Sequence, residues 1–261
     1  MIMDYTPVSK NDYAYHRLKE EIITGYLAPG EKLTVNTLSE RYHISTMPVR
    51  NAIQKLRSEG FVAITPRCGA KVHVWDYDEF NSLMQLSTVL EMTASKLAAF
   101  YIDEESIDML NSLCKKMESV GMSRNYPQYE QYNHRFHFAI YENCGNPYLM
   151  EQISELHEKT YPYTSISFHI QGRLKISMEQ HKTWVKALAD HDGETCAELC
   201  KTQRVQAYGN FLSHLENCLE HLDNPESNYY IYGFGSTFSG MPIEEIRKKL
   251  DSYHKSMELL N

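Results

Sequence analysis

Two groups of residues carry side chains suited to chemistry. The first lies between Ile44 and Gly60, where Thr46, Met47, Arg50, Asn51 and Gln54 fall away from an apolar row of Val49, Ala52, Ile53 and Leu56. That row has the i, i+3, i+4, i+7 spacing of one helical face. The segment therefore predicts a helix with a packed back and a front of short polar groups plus an arginine. Such a front suits a DNA major groove, where arginine pairs with guanine and asparagine with adenine. The second group sits on otherwise apolar helical stripes further along: Asn133, His137, His181 and Gln203. Burying such groups costs about a few kcal/mol each unless they are paired. Taken singly, each is satisfied most simply by a neighbour or a water. Together, on three helices, they could also converge on one polar cavity, the usual ligand site within a helical bundle.

The elements around the first group are equally legible. Ser45 is a good N-cap for the helix, its hydroxyl able to accept a first-turn N–H. Pro48 is tolerated in that turn, and Gly60 is placed to end the helix in a left-handed cap. Tyr15, Leu18 and Ile22 stripe an earlier helix over about 12–26, Leu27 to Gly30 is a turn, and Val35, Leu38 and Tyr42 stripe a short second helix. A connection of a few residues through His43 and Ile44 makes a helix-turn-helix. Residues 61–65 and 70–74 are strand-like around the turn Pro66 to Gly69, forming a β-hairpin wing with Arg67 at its tip, in reach of a phosphate or the minor groove. The predicted DNA-contacting set is Asn36, Ser45, Thr46, Met47, Arg50, Asn51, Arg67 and Gly69.

Charge divides the chain. Residues 1–75 hold ten Lys and Arg against seven Asp and Glu, which leaves −11 for the remainder of a chain whose net charge is −8. A mildly basic head on an acidic body suits a protein that touches phosphates at one end. With 261 residues, two domains are expected: a head over 1–75, an all-helical body over 76–223, and an extension over 224–261. The start lacks a basic region followed by an apolar run, and no stretch approaches about 18 apolar residues. Six cysteines without knuckle spacing point to a cytoplasmic protein, with Cys196 and Cys200 as small core residues.

The body predicts six helices in an antiparallel bundle. Leu83, Leu86, Leu90, Ala94 and Leu97 stripe the first. The others run over about 104–120, 127–143, from 148 to before Tyr161-Pro162, 173–189 and 194–222, with breaks such as Cys144 to Pro147. His134, His169 and His191 fall outside the stripes or in loops and read as surface residues, and Glu216 and Glu220 as a solvated face. In the extension, Asn224 to Asn228 reads as a linker and residues 229–235 as aromatic and flexible. A helix is expected over 241–260 with Ser239 as cap. The fold class is thus mostly α, a winged helix-turn-helix followed by an all-α bundle.

The order of elements in residues 12–74 resembles the GntR family of bacterial transcription regulators. The matching residues are Gly25 to Leu33, Leu38-Ser39-Glu40, Ser45, Pro48-Val49-Arg50, Ala52, Leu56, Glu59-Gly60 and Pro66 to Gly69. The family usually has arginine after the N-cap serine and threonine next, where this chain has Thr46 and Met47, so a different operator sequence is implied. Residues 80–222 resemble the FCD effector domain of the FadR subfamily, in its six-helix VanR-type form. The match rests on Leu90-Glu91, Leu97-Ala98-Ala99, Phe136-His137, Asn146 to Leu149, His181 and Ala187-Leu188.

Many FCD domains hold a divalent metal with one aspartate and three histidines, positions occupied here by Asn133, His137, His181 and Gln203. Two imidazoles and two amides lack the charge that holds zinc or nickel tightly. The expectation is weak metal binding at His137 and His181, or none, with the four side chains lining an effector pocket. The family also tends to carry an arginine four residues before Glu91 that clamps carboxylates. Here that residue is Ser87, and Arg135 and Arg204 are the candidates to compensate. The resemblance implies a ligand-responsive repressor, homodimeric on a pseudo-palindromic operator, and not an enzyme. The rivals are a constitutive DNA-binding protein whose bundle only dimerises and a metal-dependent hydrolase.

Overall fold

The apolar rows near the N-terminus pack as their spacing requires. In the computed structural model, which describes residues 9–23, 26–27, 30–65, 69–74, 77–122, 126–164, 173–222, 238 and 241–259, the head contains α1 (Lys10–Ile23), β1 (Lys32–Leu33), α2 (Val35–Tyr42), α3 (Thr46–Ser58), β2 (Val62–Thr65) and β3 (Gly69–Val72). Leu18, Leu38, Val49, Leu56, Phe61 and Val72 meet in one core and are at most 5 % exposed. Each such side chain contributes on the order of 1.5–3 kcal/mol when fully buried.

The wing is a three-stranded antiparallel sheet of order β1-β3-β2, with Lys32 opposite Lys71 and Val62 opposite Val72. The expected hairpin is there, and β1 adds a strand of only two residues, too short to leave a periodic signal.

Helix ends explain how α2 and α3 are set against each other. The Gly60 N–H bonds to the Arg57 carbonyl and the Phe61 N–H to the Leu56 carbonyl, closing α3 with Gly60 at φ +86°. His43 and Ile44 make the same pair of bonds to Glu40 and Ser39, with His43 at φ +53° although it is not a glycine. Ser45 occupies the N-cap position of α3 but its side chain makes no capping hydrogen bond. The third helical residue, Pro48, has no N–H to offer, which leaves only that of Met47 for such a cap.

A buried carboxylate ties α1 to α2. Glu21, 5 % exposed, accepts a 2.8 Å hydrogen bond from the Tyr42 hydroxyl and faces Arg17 Nε at 3.2 Å and Arg41 at 3.4 Å. On the other side of α1, Tyr15 donates to Glu59 at 2.8 Å while Lys19 pairs with the same carboxylate. Burial and the Glu59 acceptor push the Tyr15 phenol up to about 12.

The bundle comprises α4 (Tyr77–Tyr101), α5 (Glu104–Met122), α6 (Tyr126–Glu142), α7 (Pro147–Thr164), α8 (Arg173–Ala189), α9 (Gly193–Glu220) and α10 (Ile243–Glu258). Short polar breaks become caps. Asp103, Asn146 and Asp192 accept the N–H of Ser106, Leu149 and Thr195, three residues on in each case. The helix α7 does not stop before Tyr161. It runs through Pro162 to Thr164, since a proline in the last turns removes only one ladder bond.

The inner face of α4 differs from the leucine stripe expected. Leu86 is 49 % exposed, whereas Met84, Ser87, Thr88, Glu91, Ala94, Ser95 and Ala98 are buried. Small and hydrogen-bonded residues line this face, and hydrophobicity alone cannot find them. Thr88 bonds back to the Met84 carbonyl at 2.7 Å, and Ser95 receives the Trp184 indole N–H at 3.0 Å while donating to the Cys196 carbonyl.

Contacts within the chain group residues 81–217 with 242–261, and 2–80 with 218–241. The C-terminal helix α10 therefore belongs to the bundle. Ile246, Leu250, Tyr253 and Met257 are buried. Ser256 and Tyr208 both donate to Asn81 Oδ1 at 3.0 Å, and His254 faces Glu216 at 3.7 Å. Glu216 thus faces α10 while its side chain stays 37 % exposed, and Glu220 is exposed, as expected of a solvated face. The expected cap Ser239, the linker at 224–228 and the aromatic run at 229–235 lie outside the described residues, and Pro242 holds the N-cap position. Leu250 is fully buried, so Leu250→Ala is expected to destabilise the bundle by about 3 kcal/mol. Urea unfolding followed by circular dichroism checks this, and an unchanged midpoint contradicts the packing of α10.

Candidate nucleic-acid interface and effector chamber

The head presents its predicted front to solvent. Pro48, Val49, Ala52, Ile53 and Leu56 form the buried back of α3, while Ser45, Thr46, Met47, Arg50, Asn51 and Gln54 are exposed. Asn36 is exposed on α2, and Gly69 is exposed at the start of β3 with φ +87°, a conformation that favours glycine. Arg67 lies outside the described residues. Asn51 Nδ2 reaches back to Asn11 Oδ1 at 3.3 Å, which restrains that side chain on the front of α3. Lys55 turns the other way, its ammonium 3.7 Å from the centre of the Tyr15 ring.

In the bundle, His137 of α6 and His181 of α8 come together, their ring centroids 5.3 Å apart and nearly perpendicular. His181 is fully buried against the Phe136 ring at 4.4 Å, and Trp184 lies 5.4 Å from His137. Asn133 is half-buried on α6, one turn before His137. Gln203 on α9 is 5 % exposed, and its amide nitrogen has no hydrogen-bond partner among the described residues.

Beside this pair lies a polar chain that the sequence showed only in part. Tyr141, one turn beyond His137, donates its hydroxyl to Glu91 Oε2 at 2.9 Å, and Cys200 Sγ lies 3.7 Å from that hydroxyl. Ser87 donates to the other Glu91 oxygen. Arg204 Nη2 donates to Ser87 Oγ at 3.1 Å, and its Nε faces Glu91 at 3.5 Å. Of the two arginines named from sequence, Arg135 is paired with Glu142 at an exposed site, whereas Arg204 reaches the Ser87 position. The guanidinium missing from α4 thus arrives from α9. Burial, then the neighbouring Cys200 and Glu91, hold the Tyr141 phenol far above its usual range.

His134 is not a surface residue. It is half-buried, stacked on Phe138 at 4.2 Å and edge-on to His157 at 4.6 Å. Its i+4 neighbour Phe138 covers it, a contact that its place at the edge of the apolar stripe concealed. Burial holds His134 down at about 4. Burial, and then the fields of His134, Arg204 and His137, hold His157 well below the ordinary histidine value. His191 is exposed, with its ring nitrogen on the Ala99 carbonyl, and His169 lies outside the described residues.

The donor set is a poor fit to a tightly held divalent ion. Among the described residues no three His, Cys, Asp or Glu side chains are grouped to hold one, and positions 133 and 203 offer neutral amides. Cys196 and Cys200 are buried, their thiols pushed up by burial, Cys196 to about 12.

With the geometry in view, comparison with known proteins gives one answer. Residues 10–72 match the family described as "Bacterial regulatory proteins, gntR family", and residues 82–203 match the "FCD domain". The chain is 28 % identical over 196 residues to the "HTH-type transcriptional repressor GlaR" of Escherichia coli K12, a match that spans 72 % of this chain and 89 % of that protein. It is 26 % identical over 184 residues to the "HTH-type transcriptional regulator McbR" of the same strain, spanning 69 % and 82 %. Among solved structures, "E. coli McbR/YncC" superposes with a TM-score of 0.67 at 23 % identity over 78 % of this chain and 99 % of that one. A GntR regulator from Rhodococcus superposes with a TM-score of 0.64 at 17 % identity, over 79 % and 99 %. The fold and its interface are those of a DNA-binding transcription regulator. The chain belongs to the GntR family, with an FCD domain following its winged head. No helix among the described residues is long and apolar enough to cross a membrane.

The depressed histidines make the bundle's stability depend on pH. Below about 6.5 the unfolded chain protonates these rings while the folded chain does not, so stability is complete above that value and falls towards pH 4. The urea midpoint is expected to drop between pH 6.5 and 4.5, and less steeply in His134→Gln. Equal slopes in the two proteins contradict the burial of His134.

Proposed function

We propose that this protein is a metabolite-responsive repressor that binds a pseudo-palindromic operator as a homodimer. The front of α3 carries the DNA half of this reading: a row of exposed groups that can read base edges, on a helix whose back is locked into the head core. Two copies would set their recognition helices in successive major grooves, about 34 Å apart. The second copy has a suitable face on α4, where Leu86, Val89 and Phe100 are 49 %, 46 % and 66 % exposed at helical spacing. Repression is supported by the relative GlaR, which carries that description.

The effector site is the chamber beside His137 and His181, with Gln203 and Arg204 as donors from α9. Arg204 supplies a positive charge that the four ligand positions lack, so the effector is an acceptor-rich small molecule. Metal at His137 and His181 is weak or absent, because two imidazoles with two amides bring no negative charge to the ion. The same shortage disfavours a metal-dependent hydrolase. A constitutive DNA binder would leave the buried donor of Gln203 without a purpose.

In a binding assay at fixed salt, Arg50→Ala is expected to weaken operator affinity about tenfold or more. Undiminished affinity contradicts the DNA reading. A metabolite screen by thermal shift, which detects ligands by mass action, is expected to find an effector that also perturbs Trp184 fluorescence. His137→Ala and His181→Ala should each weaken the effector's action on DNA binding, and an unchanged response in both overturns the chamber. The variant Val89→Glu is expected to lower the mass in solution to that of one chain. A dimer of undiminished strength excludes the α4 face.

A further inference from the structure

The exposed methionine at the tip of α3 has no role in the packing of the head. Met47 is 64 % exposed, the single large apolar side chain exposed on that helix. Scattered exposed apolar residues are ordinary on protein surfaces, but this one is not scattered. It heads the row formed by Arg50, Asn51 and Gln54, all exposed at i+3, i+4 and i+7 from it. Helical side chains lean towards the N-terminus, so the first member of the row projects past the helix end. In a helix-turn-helix that end contacts the bases. The cap geometry clears the way: Ser45 makes no side-chain bond across the first turn, and Asn51 is held back by Asn11.

A major groove offers polar edges at every base pair and one apolar feature, the 5-methyl group of thymine. Resting on the DNA-binding reading of the head, we infer that Met47 is a specificity-determining residue that reads the methyl group of a thymine in each half-site. Its unbranched thioether adapts to a small apolar target without a fixed rotamer. Arg50, on the next turn of the same face, sets the register beside it. A serine at position 47 would offer a hydroxyl to either base of several pairs and lose this apolar preference.

The test uses the full-length protein and oligonucleotides enriched by it from a random duplex pool at stated salt. Each thymine of the selected site is replaced in turn by deoxyuridine, which deletes one methyl group and keeps every hydrogen-bonding atom. At one thymine per half-site the replacement is expected to weaken binding by about fourfold, the value of one buried methyl-sized group. In Met47→Ala and Met47→Gln, both at an exposed position that leaves the fold intact, this difference is expected to vanish. Thr46→Ala should retain it. Methyl-insensitive binding at every thymine, or sensitivity that survives in both Met47 variants, overturns the inference while leaving DNA binding itself standing. Failure to enrich any duplex overturns the DNA-binding reading, and the inference with it.

Discussion

A single buried carboxylate organises the bundle. Glu91 is 3 % exposed, and an isolated charge at such a site costs several kcal/mol. It is tolerated because Ser87, Tyr141 and Arg204 meet it from α4, α6 and α9. Those three partners fix how the helices can approach. The inner face of α4 must be narrow enough for Arg204 and Tyr141 to reach across, and it is built of Ser87, Thr88, Ala94, Ser95 and Ala98. The bulk displaced from that face reappears outside, at Leu86, Val89 and Phe100, the surface proposed above for a second copy.

The head repeats the device on a smaller scale. Glu21 is buried beneath Tyr42 and flanked by Arg17 and Arg41, again one carboxylate between a phenol and guanidinium groups. Here it locks α1 to α2, the helix that supports α3. Burial and the Glu21 acceptor hold the Tyr42 phenol far above its usual range, so it remains a hydrogen-bond donor at any working pH. A rigid α1–α2 pair matters for a reader of DNA, because the front of α3 discriminates bases only if its angle to the duplex is set elsewhere in the head.

How much of this was legible in the sequence follows from what carries each feature. The head was nearly complete in the pattern: Val49, Ala52, Ile53 and Leu56 lie where the helical period puts them, and the Gly60 cap follows from its type. The bundle's helices were legible from their polar breaks, since Asp103, Asn146 and Asp192 are natural caps. The inner face of α4 was not, because its selection is steric and polar while periodicity weighs greasiness. His134 was misjudged for a related reason: its shelter comes from Phe138 and His157, and the latter is on another helix. For the chamber, the pairing of His137 with His181 was visible from their stripes. Arg204 was one of two arginines able to compensate for Ser87, and nothing in α9 alone singles it out over Arg135.

For the effector site proposed above, charge sets how a ligand would be recognised. A site with a bound divalent ion draws much of its affinity from that ion's charge, and a ligand's acidic group needs little else. With amides at 133 and 203, the neighbouring guanidinium is that of Arg204, and it is already engaged with Ser87 and Glu91. A ligand's acceptor group must therefore either join that network at the guanidinium edge or compete with Ser87 for it. Competition would alter the contacts that Arg204 makes from α9 with the buried face of α4. Binding and rearrangement of these two helices would then be the same event, which is what a coupling free energy between an effector and a distant site requires. In the effector site proposed above, recognition would then rest on a side chain that also holds the helices together.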